Sequence, residues 1–389
     1  MVARLQNTIR DYAWGSRTAL PELLGVEPDG NPQAEMWMGA HESASSLVRG
    51  ESLYQLVSAD PSGVLGAATA ATFEGRFPFL AKLLAAEQPL SIQAHPSRAQ
   101  AIDGYARDEA AGIPRDAADR NYKDSWPKPE ILIALGTFDA LVGFRPLGRS
   151  IALLEALGAP ELQDLADLLG KGELREAFTH FMSDDRDSIR PLIAALEEAC
   201  RRYDGAEWAL EVETLEKLCV DFPDDPGVLA ALLLNRVRLE RFEAVYLPAG
   251  NVHAYLHGSG FEVMANSDNV LRGGLTRKHV DVPELVSVVD FEPLDSPVLH
   301  GVEVAPGVTA YETGCEYFAV RRAEPSVGPF RVPADGPRIV ACVEGTVTVG
   351  AEGTEDIVPL SAGQSAFLSG PEGPCNLRGP GTAFVVSTG

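Results

Sequence analysis

The stretch VYLPAGNVHAYLHGSGFEVMANSDNVLRGGLTRKH, residues 245–279, decides the fold of this chain. It opens with alternating apolar and small residues, which is typical of a half-buried strand. After a turn at Pro248-Ala249-Gly250, His253 and Tyr255 lie two residues apart and therefore on one face of the next strand. A polar run then interrupts an apolar segment: Asn266, Asp268, Asn269 and Arg272. Because buried polar groups cost free energy unless they are satisfied, this run predicts a site.

The composition limits what the protein can bind. The chain has 389 residues, of which 45% are hydrophobic and 23% are charged. This length is large for one hydrophobic core and predicts two or three domains. The formal net charge is -24. We therefore expect no binding to nucleic acid or to an anionic membrane, since both require a basic face. An anionic small molecule would need a local positive pocket.

The sequence contains no apolar run near the ~20 residues of a membrane span, and its N-terminus lacks a signal-peptide core. Its five cysteines are scattered and form no CxxC pair: Cys200, Cys219, Cys315, Cys342 and Cys375. Such cysteines are typical of reduced thiols, so we expect a cytoplasmic protein whose metal ligands, if any, are of other types.

Changes in periodicity predict a mainly β protein with an inserted α-helical domain. Alternation in AEMWMGAHESASS (34–46) and β-branched and aromatic residues in PEILIALGTFDALVGFRPL (129–147) indicate strands, with a turn at Gly136-Thr137 in the second. From about residue 150 to 238, apolar residues recur at three- and four-residue spacing. This helical interpretation includes PGVLAALLLNRVRL (226–239).

Three separated pieces carry candidate metal ligands. Gln93 and His95 lie on one strand face, Glu130 begins the next strand segment, and His253 follows a tight turn. Two imidazoles, one carboxylate and one amide oxygen suit Zn²⁺ or another borderline divalent ion, with a position left for water or substrate. A lone histidine on a strand is more often a core or surface residue than a ligand. The combination of the three pieces indicates a metal site.

This combination resembles the cupin family of metal-binding barrels. The first cupin motif has H-x-H followed by Glu and Gly, and here Gln93 stands for the first His while Glu130 and Gly136 supply the later part. The second motif, P-x-G-x-x-H, matches at 248–253. The resemblance implies two cupin-like jelly-roll barrels.

Longer sequence motifs make the resemblance more specific. They occur in the order and spacing of type I mannose-6-phosphate isomerases, over residues 10 to about 300. The motifs are YAWGS (12–16), AEMWMGAH (34–41), LSIQAHP (90–96), KPE (128–130), LPAGNVHAYL (247–256) and NSDNVLRGGLT (266–276).

The resemblance implies a zinc-dependent aldose–ketose isomerase that interconverts mannose 6-phosphate and fructose 6-phosphate, in carbohydrate metabolism and GDP-mannose biosynthesis. One Zn²⁺ per chain would be held by Gln93, His95, Glu130 and His253. The family's essential arginine falls on Arg272 and its active-site lysines on Lys82 and Lys128. Further pocket residues fall on Ser91, Tyr255, Glu262 and Asp268.

The isomerase chemistry needs a base and a group that stabilises negative charge on oxygen. Arg272 suits the second role, or phosphate binding. Lys128 is our assignment for the base, with Glu262 and Asp268 as rivals, and Asp268 has the alternative of an Asx turn. Lys82 could act as a base with a depressed pKa, or bind phosphate while charged.

The sequence also departs from the family. Relatives often have His where Pro127 stands, which removes one candidate proton carrier and favours Lys128. Relatives commonly have Pro-Gly in place of Arg241-Phe242 and Pro in place of Arg277; we interpret both as tolerated loop changes.

The predicted organisation divides the chain into six ranges. A catalytic cupin-like β-domain comprises 1–98, 126–149 and 241–299, interrupted by a helical insertion at 99–125 and a helical domain at 150–240. Residues 300–389 form a C-terminal cupin-like β-domain. Ala366 stands at the position of the motif histidine in this domain, with Cys375 as the one other candidate considered, so we expect it to hold no metal.

Two other functions remain open at this point. A cupin oxygenase would use Fe²⁺ in the same open site, although its usual ligands are richer in histidine. A sugar-phosphate sensor would keep the pocket and lack turnover. For the isomerase and for the sensor the expected partner is a small sugar phosphate, and we expect a monomer or a weak homodimer.

Overall fold

The computed structural model describes residues 1–182, 186–328, 330–334, 336–351 and 357–389. The strands before residue 300 are β1 (Val2–Gln6), β2 (Thr8–Arg10), β3 (Glu35–Met38), β4 (Leu47–Val48), β5 (Glu51–Ser52), β6 (Phe79–Ala86), β7 (Gln93–Ala94), β8 (Glu130–Phe144), β9 (Leu234–Leu239), β10 (Ala244–Leu247), β11 (His253–Ala265), β12 (Leu271–Arg272) and β13 (Val298–Leu299). The later strands are β14 (Val302–Ala305), β15 (Val308–Tyr311), β16 (Ala319–Ala323), β17 (Phe330–Val332), β18 (Arg338–Glu344), β19 (Thr346–Ala351), β20 (Ile357–Ser361), β21 (Ser365–Leu368), β22 (Cys375–Arg378) and β23 (Thr382–Ser387).

The helices lie mainly between β8 and β9. They are α1 (Ala19–Leu24), α2 (Leu53–Ala59), α3 (Pro61–Leu65), α4 (Ala67–Thr72), α5 (Arg98–Ala110), α6 (Leu147–Leu157), α7 (Gln163–Gly170), α8 (Leu174–Met182), α9 (Arg186–Arg202), α10 (Ala209–Asp221), α11 (Gly227–Ala231) and α12 (Val282–Val288), with a 3₁₀ turn at Pro160–Leu162. None of the described helices combines the length and the apolar character required to cross a bilayer.

The described strands form three sheets of ten, nine and four strands. The ten-stranded sheet has the central order β10-β8-β11-β6-β3, and β7 joins it through β11 and β12. The nine-stranded sheet contains β14–β16, β18, β21 and β23, together with β1, β4 and β5 from the N-terminus. The prediction of a sheet-rich fold with inserted helices is confirmed. The strand pairings of the described residues do not close into a barrel.

The central strands of the ten-stranded sheet have two different faces. On one face Phe261 stacks on Phe384 of β23, with ring centroids 4.5 Å apart, in an apolar cluster between the two larger sheets. Neighbouring residues of a strand point to opposite faces, so Glu262 faces away from that cluster. Glu262 pairs in register with Lys82 of β6, which in turn pairs with Trp37 of β3. This second face carries the charged residues.

The helical segment packs against the short strands beside the charged face. Its apolar side chains share one core cluster with Ile92, Ala94 and Leu271, which flank or belong to β7 and β12. The three- and four-residue spacing therefore predicted α6, α7 and α9 correctly, because the apolar stripe of each helix is buried. In the insertion after residue 97, a capping box of Ser97 and Gln100 begins α5.

Two local predictions are wrong. Residues 234–239 form β9 rather than the end of a helix, since they pair antiparallel with β8 and bury Val237 and Leu239. Residues 136–137 do not reverse the chain, because β8 runs from Glu130 to Phe144. The irregularity there is a register shift opposite Gly258 and Gly260 of β11. Helices α1–α4 and the pairing of β1 with β21 were not predicted.

We expect Gly258→Ala to destabilise the central sheet. Gly258 has φ +121, and a Cβ there would lie 2.6 Å from the Thr137 carbonyl oxygen. Backbone strain of this kind costs about 1–3 kcal/mol. The change should lower the free energy of unfolding measured by chemical denaturation. The matched control is Gly136→Ala, where nothing lies within 4 Å of the added atom. Equal stability of the two variants would contradict the argument.

Candidate metal centre

Three buried side chains, in or next to strands of the ten-stranded sheet, lie close together. Glu130 is the first residue of β8, His253 is the first residue of β11, and His95 directly follows β7. The ligand atoms of these three residues lie within 4.8 Å of one another. Gln93 lies opposite His253 in the register of β7 and β11. Residues that are far apart in the sequence are thus gathered by strand pairing.

The three side chains fit a divalent ion. Glu130 Oε1 lies 3.5 Å from His95 Nε2, and Glu130 Oε2 lies 3.5 Å from His253 Nε2. Glu130 Oε2 and His253 Nε2 are both buried and neither makes a hydrogen bond. Unsatisfied buried polar atoms cost free energy, and a bound cation would remove that cost. Imidazole nitrogens with carboxylate and amide oxygens form a donor set for zinc.

Backbone carbonyls orient both imidazoles. His95 Nδ1 lies 2.7 Å from the carbonyl oxygen of Asn269, and His253 Nδ1 lies 3.1 Å from that of Asn251. A carbonyl oxygen only accepts hydrogen bonds, so each Nδ1 carries the proton and donates it. Each Nε2 therefore presents its lone pair towards Glu130. This is the usual way in which proteins prepare a histidine for a metal.

The electrostatics favour the metal-binding protonation states of His95 and Glu130. Burial, followed by the nearby Lys128 ammonium, lowers the pKa of His95 to about 4. Burial opposes ionisation of Glu130, but Lys128 and His95 outweigh it and hold the pKa of that carboxyl well below its usual range. Lys128 Nζ forms an ion pair with Glu130 and lies 3.4 Å from His95 Nε2. A neutral imidazole and an ionised carboxylate are the forms that coordinate metals.

A buried lysine lies on the same face of the sheet. Lys82 Nζ contacts Glu262 at 2.8 Å and Glu35 at 3.3 Å, and Glu35 also accepts a hydrogen bond from Trp37 Nε1 at 2.8 Å. Burial disfavours the ammonium, but the two carboxylates outweigh it and raise the pKa of Lys82 above its ordinary value. Lys82 is therefore a fixed positive charge.

Arg272 lies beside a predicted ligand. It is in β12 and pairs in register with Gln93. Asp225 holds the loop that follows, by accepting hydrogen bonds from the backbone N–H of Leu275 and of Thr276 at 2.8 and 2.9 Å. Among the residues that the structure describes, no carboxylate lies within 4.0 Å of the Arg272 guanidinium. This half-buried cation is thus available to an anionic ligand.

The other predicted pocket residues are placed nearby. Asp268 Oδ1 contacts His41 Nε2 at 3.2 Å; although burial opposes ionisation, His41 lowers the pKa of Asp268. Tyr255 has a buried hydroxyl with no hydrogen-bond partner, and burial raises its pKa well above the ordinary value. Ser91 is half-buried, two residues before Gln93. The predicted Asx turn of Asp268 is not among the hydrogen bonds of the described residues.

Sequence reasoning did not predict the contacts of several residues in this region. Glu35 contacts Lys82, His41 contacts Asp268, and Asn251 and Asn269 orient the two imidazoles. One signal was present for Glu35, since the period-two pattern of AEMWMGAH puts it on the same face as Trp37. Asn251 and Asn269 make their contacts through backbone carbonyls, which every residue has, so their side-chain identity gives no signal.

The chain is similar to known proteins over its whole length. Residues 2–147 match the family described as phosphomannose isomerase type I, catalytic domain. The mannose-6-phosphate isomerases of Shigella flexneri and of Escherichia coli (strain K12) are each 38% identical to it over 392 residues, covering 97% of both chains. A zinc-bound crystal structure of a mannose 6-phosphate isomerase aligns with a TM-score of 0.89 and 37% identity, covering 100% of this chain and 99% of the other.

The fold and the site together define a sheet-rich protein with an enclosed centre of imidazole and carboxylate ligands, flanked by buried cations. Two imidazoles and a carboxylate are a ligand set of catalytic zinc sites. The sequence identity of 38% to mannose-6-phosphate isomerases over nearly the full length assigns the chain to one family. The chain belongs to the type I mannose-6-phosphate isomerase family.

Proposed function

We propose that the chain is a zinc-dependent aldose–ketose isomerase that interconverts D-mannose 6-phosphate and D-fructose 6-phosphate by proton transfer through an enediol(ate). The observation that carries this proposal is the buried cluster of His95, Glu130 and His253, whose ligand atoms lie within 4.8 Å of one another. Family membership at 38% identity supports the same activity. Zinc in a solved relative supports the choice of metal.

The proposed ligands of one Zn²⁺ per chain are Gln93, His95, Glu130 and His253. A bound zinc ion would act as a Lewis acid on the oxygens at C1 and C2 of the sugar. The protein prepares the site itself, since carbonyl contacts turn both imidazoles towards Glu130. Lys128 balances the charge of that carboxylate.

Arg272 is proposed to stabilise negative charge on the substrate. Isomerisation moves a proton between C2 and C1 and develops negative charge on oxygen. A guanidinium is always charged and presents several donors in a rigid plane. Burial lowers the pKa of Arg272, but its ordinary value is so high that it stays charged at neutral pH. No described carboxylate competes for it within 4.0 Å.

Lys128 is proposed as the base that moves the proton. Its Nζ is buried between the proposed ligands Glu130 and His95. The ammonium that pairs with Glu130 has to lose a proton before it can act as a base. Two carboxylates remain alternative candidates for the base. Glu262 is buried against Lys82, whereas Asp268 is ionised beside His41 and its side chain is 46% exposed, which makes it the more accessible of the two.

The other proposed substrate-binding residues are Lys82, Ser91, Tyr255, Glu262 and Asp268. Lys82 and Lys128 are paired with carboxylates, whereas no described carboxylate lies within 4.0 Å of Arg272. Arg272 is therefore the cation available to a phosphate in a chain whose formal net charge is -24. Field focusing in a cleft allows a few cations to bind a phosphate ester despite repulsion by the rest of the surface. The unpartnered hydroxyl of Tyr255 is suited to a hydrogen bond with the sugar.

The alternatives are not favoured. An Fe²⁺ oxygenase would share the buried cluster, but the relatives described above are named for isomerase activity. The cluster of His95, Glu130 and His253 is intact, and relatives are named for turnover, so a sensor without turnover is also less favoured. Oxygen uptake with candidate substrates would identify the oxygenase. Binding of mannose 6-phosphate by zinc-loaded protein without turnover would identify the sensor.

Removal of the metal should abolish the activity. After dialysis against a chelator, we expect the protein to lose zinc by elemental analysis and to form no fructose 6-phosphate in a coupled assay. The reason is that Lewis-acid stabilisation of the developing charge contributes several kcal/mol. Addition of zinc should restore turnover, and protein dialysed against buffer alone is the control. Full activity of metal-free protein would refute the proposal.

Several features of organisation also belong to this proposal. We propose two cupin-like jelly-roll units with the domain ranges given above, except that β1, β4 and β5 join the nine-stranded sheet of the C-terminal unit. We propose no metal in that C-terminal unit. We also propose a monomer or weak homodimer in the cytoplasm. All five cysteines are free and buried, which supports a reducing compartment.

A further inference from the structure

The side chain of Asn269 forms hydrogen bonds between its own loop, residues 267–269, and the loop 123–126, which precedes Lys128. Asn269 is completely buried. Its Oδ1 accepts a hydrogen bond from the backbone N–H of Lys123 at 2.7 Å, and its Nδ2 donates to the carbonyl oxygens of Asp124 and Trp126 at 2.7 and 2.8 Å. Both amide protons of Asn269 are therefore used. Their acceptors lie in the segment that leads to Lys128.

The backbone of the same residue contacts a proposed ligand. The carbonyl oxygen of Asn269 accepts the hydrogen bond from His95 Nδ1. This contact decides which ring nitrogen of His95 carries the proton and which one faces Glu130. The position of that carbonyl is set by the loop 267–269, and the side chain of Asn269 holds this loop against 123–126.

Two further side chains complete this connection. Asp124 Oδ1 accepts from Ser267 Oγ at 2.9 Å, and Asp124 Oδ2 accepts from the backbone N–H of Asp268 at 3.1 Å. Asp124 and Ser267 are both buried. We call Asn269, Asp124 and Ser267 the loop clamp. Hydrogen bonds in such a buried network are costly to break, because each loss leaves a polar group without a partner.

We propose that Asn269 is a positioning residue of the metal centre. Its side chain fixes the loop 267–269, so that its carbonyl holds His95 with Nε2 towards Glu130. This inference rests on the zinc centre of the proposed function, and it assigns to Asn269 no contact with metal or substrate. Residues that hold a metal-ligating histidine through its second nitrogen typically change metal affinity when they are altered.

The test compares zinc affinity in three variants. Asn269→Ala removes the amide from the loop clamp, and Asp124→Asn is a milder change that keeps the side chain's size. The matched control is Asn266→Ala. Asn266 lies in the same loop and its Nδ2 also donates to two backbone carbonyls, those of Ala40 and Phe77, but neither belongs to the loop clamp. Zinc affinity is measured by competition with a chromophoric chelator, and thermal unfolding is followed with and without zinc.

We expect Asn269→Ala to bind zinc about 10–100-fold more weakly than the wild type. Zinc should also raise its unfolding temperature less. Asn266→Ala should keep wild-type zinc affinity even if its unfolding temperature falls, because a merely structural change lowers the stability of the metal-free and zinc-bound forms alike. Asp124→Asn should weaken zinc binding in the same direction.

Wild-type zinc affinity in Asn269→Ala would overturn the inference, and so would equal losses in Asn269→Ala and Asn266→Ala. If Asn269→Ala does not fold, Asp124→Asn carries the test, and wild-type affinity in that variant overturns it. The proposed function fails separately. If the wild-type protein binds no zinc, the metal centre itself is refuted and the role of Asn269 with it.

Discussion

We expect His253→Ala to lose zinc and isomerase turnover, while the chain remains folded. His253 is completely buried, and its Nε2 lies 3.5 Å from Glu130 Oε2. Loss of His253 removes one of the two imidazoles and leaves Gln93, His95 and Glu130, so we expect a large loss of zinc affinity. The loss of several kcal/mol of charge stabilisation corresponds to a decrease in turnover of about 10³-fold or more.

The measurement is zinc content by elemental analysis, together with a coupled assay for fructose 6-phosphate. His257→Ala is the matched control, since His257 lies four residues further along β11 and is exposed to solvent. We expect this control to keep both zinc and turnover. Unchanged zinc content in His253→Ala would mean that the ligand is wrongly assigned.

We expect Arg272→Ala to lower turnover by ~10²–10³ without loss of zinc, because a preorganised electrostatic donor contributes about that much to catalysis. Arg272 is half-buried in β12 and pairs with Gln93, so its position is fixed by strand pairing. Arg272→Lys should recover only part of the rate, since an ammonium lacks the planar fork of donors.

Arg277→Ala is the control for the loss of a guanidinium from this loop, because Arg277 is exposed and lies five residues further on. Turnover of Arg272→Ala equal to that of Arg277→Ala would contradict the electrostatic role. The kinetic constants separate the two possible roles of Arg272. A higher KM with unchanged kcat would indicate phosphate binding, whereas a lower kcat would indicate stabilisation of the transition state.

Much of the fold could be predicted from local patterns. Periodicity identified the helices between β8 and β9, because each buries one apolar stripe. It failed at 234–239, where pairing with β8 overrides a helical spacing of apolar residues. It also missed the pairing of β1 with β21, whose residues Ala3 and Phe367 are partners at opposite ends of the chain. Such pairings depend on long-range contacts that a local pattern does not contain.

The residues around the metal centre show the same division. Sequence motifs identified His95, Glu130 and His253, because each residue lies within a short motif of its own. The partners of the site's cations were not identified. Glu35 contacts Lys82 across 47 positions, and the carbonyl of Asn269 contacts His95 across 174. No periodic pattern in the sequence indicates either of these contacts.

The amino-acid sequence by itself determined the family, the chemical types of the metal ligands and the alternation of sheet and helical segments. These properties follow from residue identity and short spacing. Only the tertiary structure decided which carboxylates neutralise Lys82, which nitrogen of each imidazole faces Glu130, and that Arg272 has no carboxylate within 4.0 Å among the described residues. Hydrogen bonds and ion pairs depend on distances of a few ångströms, and the packing of distant segments sets those distances.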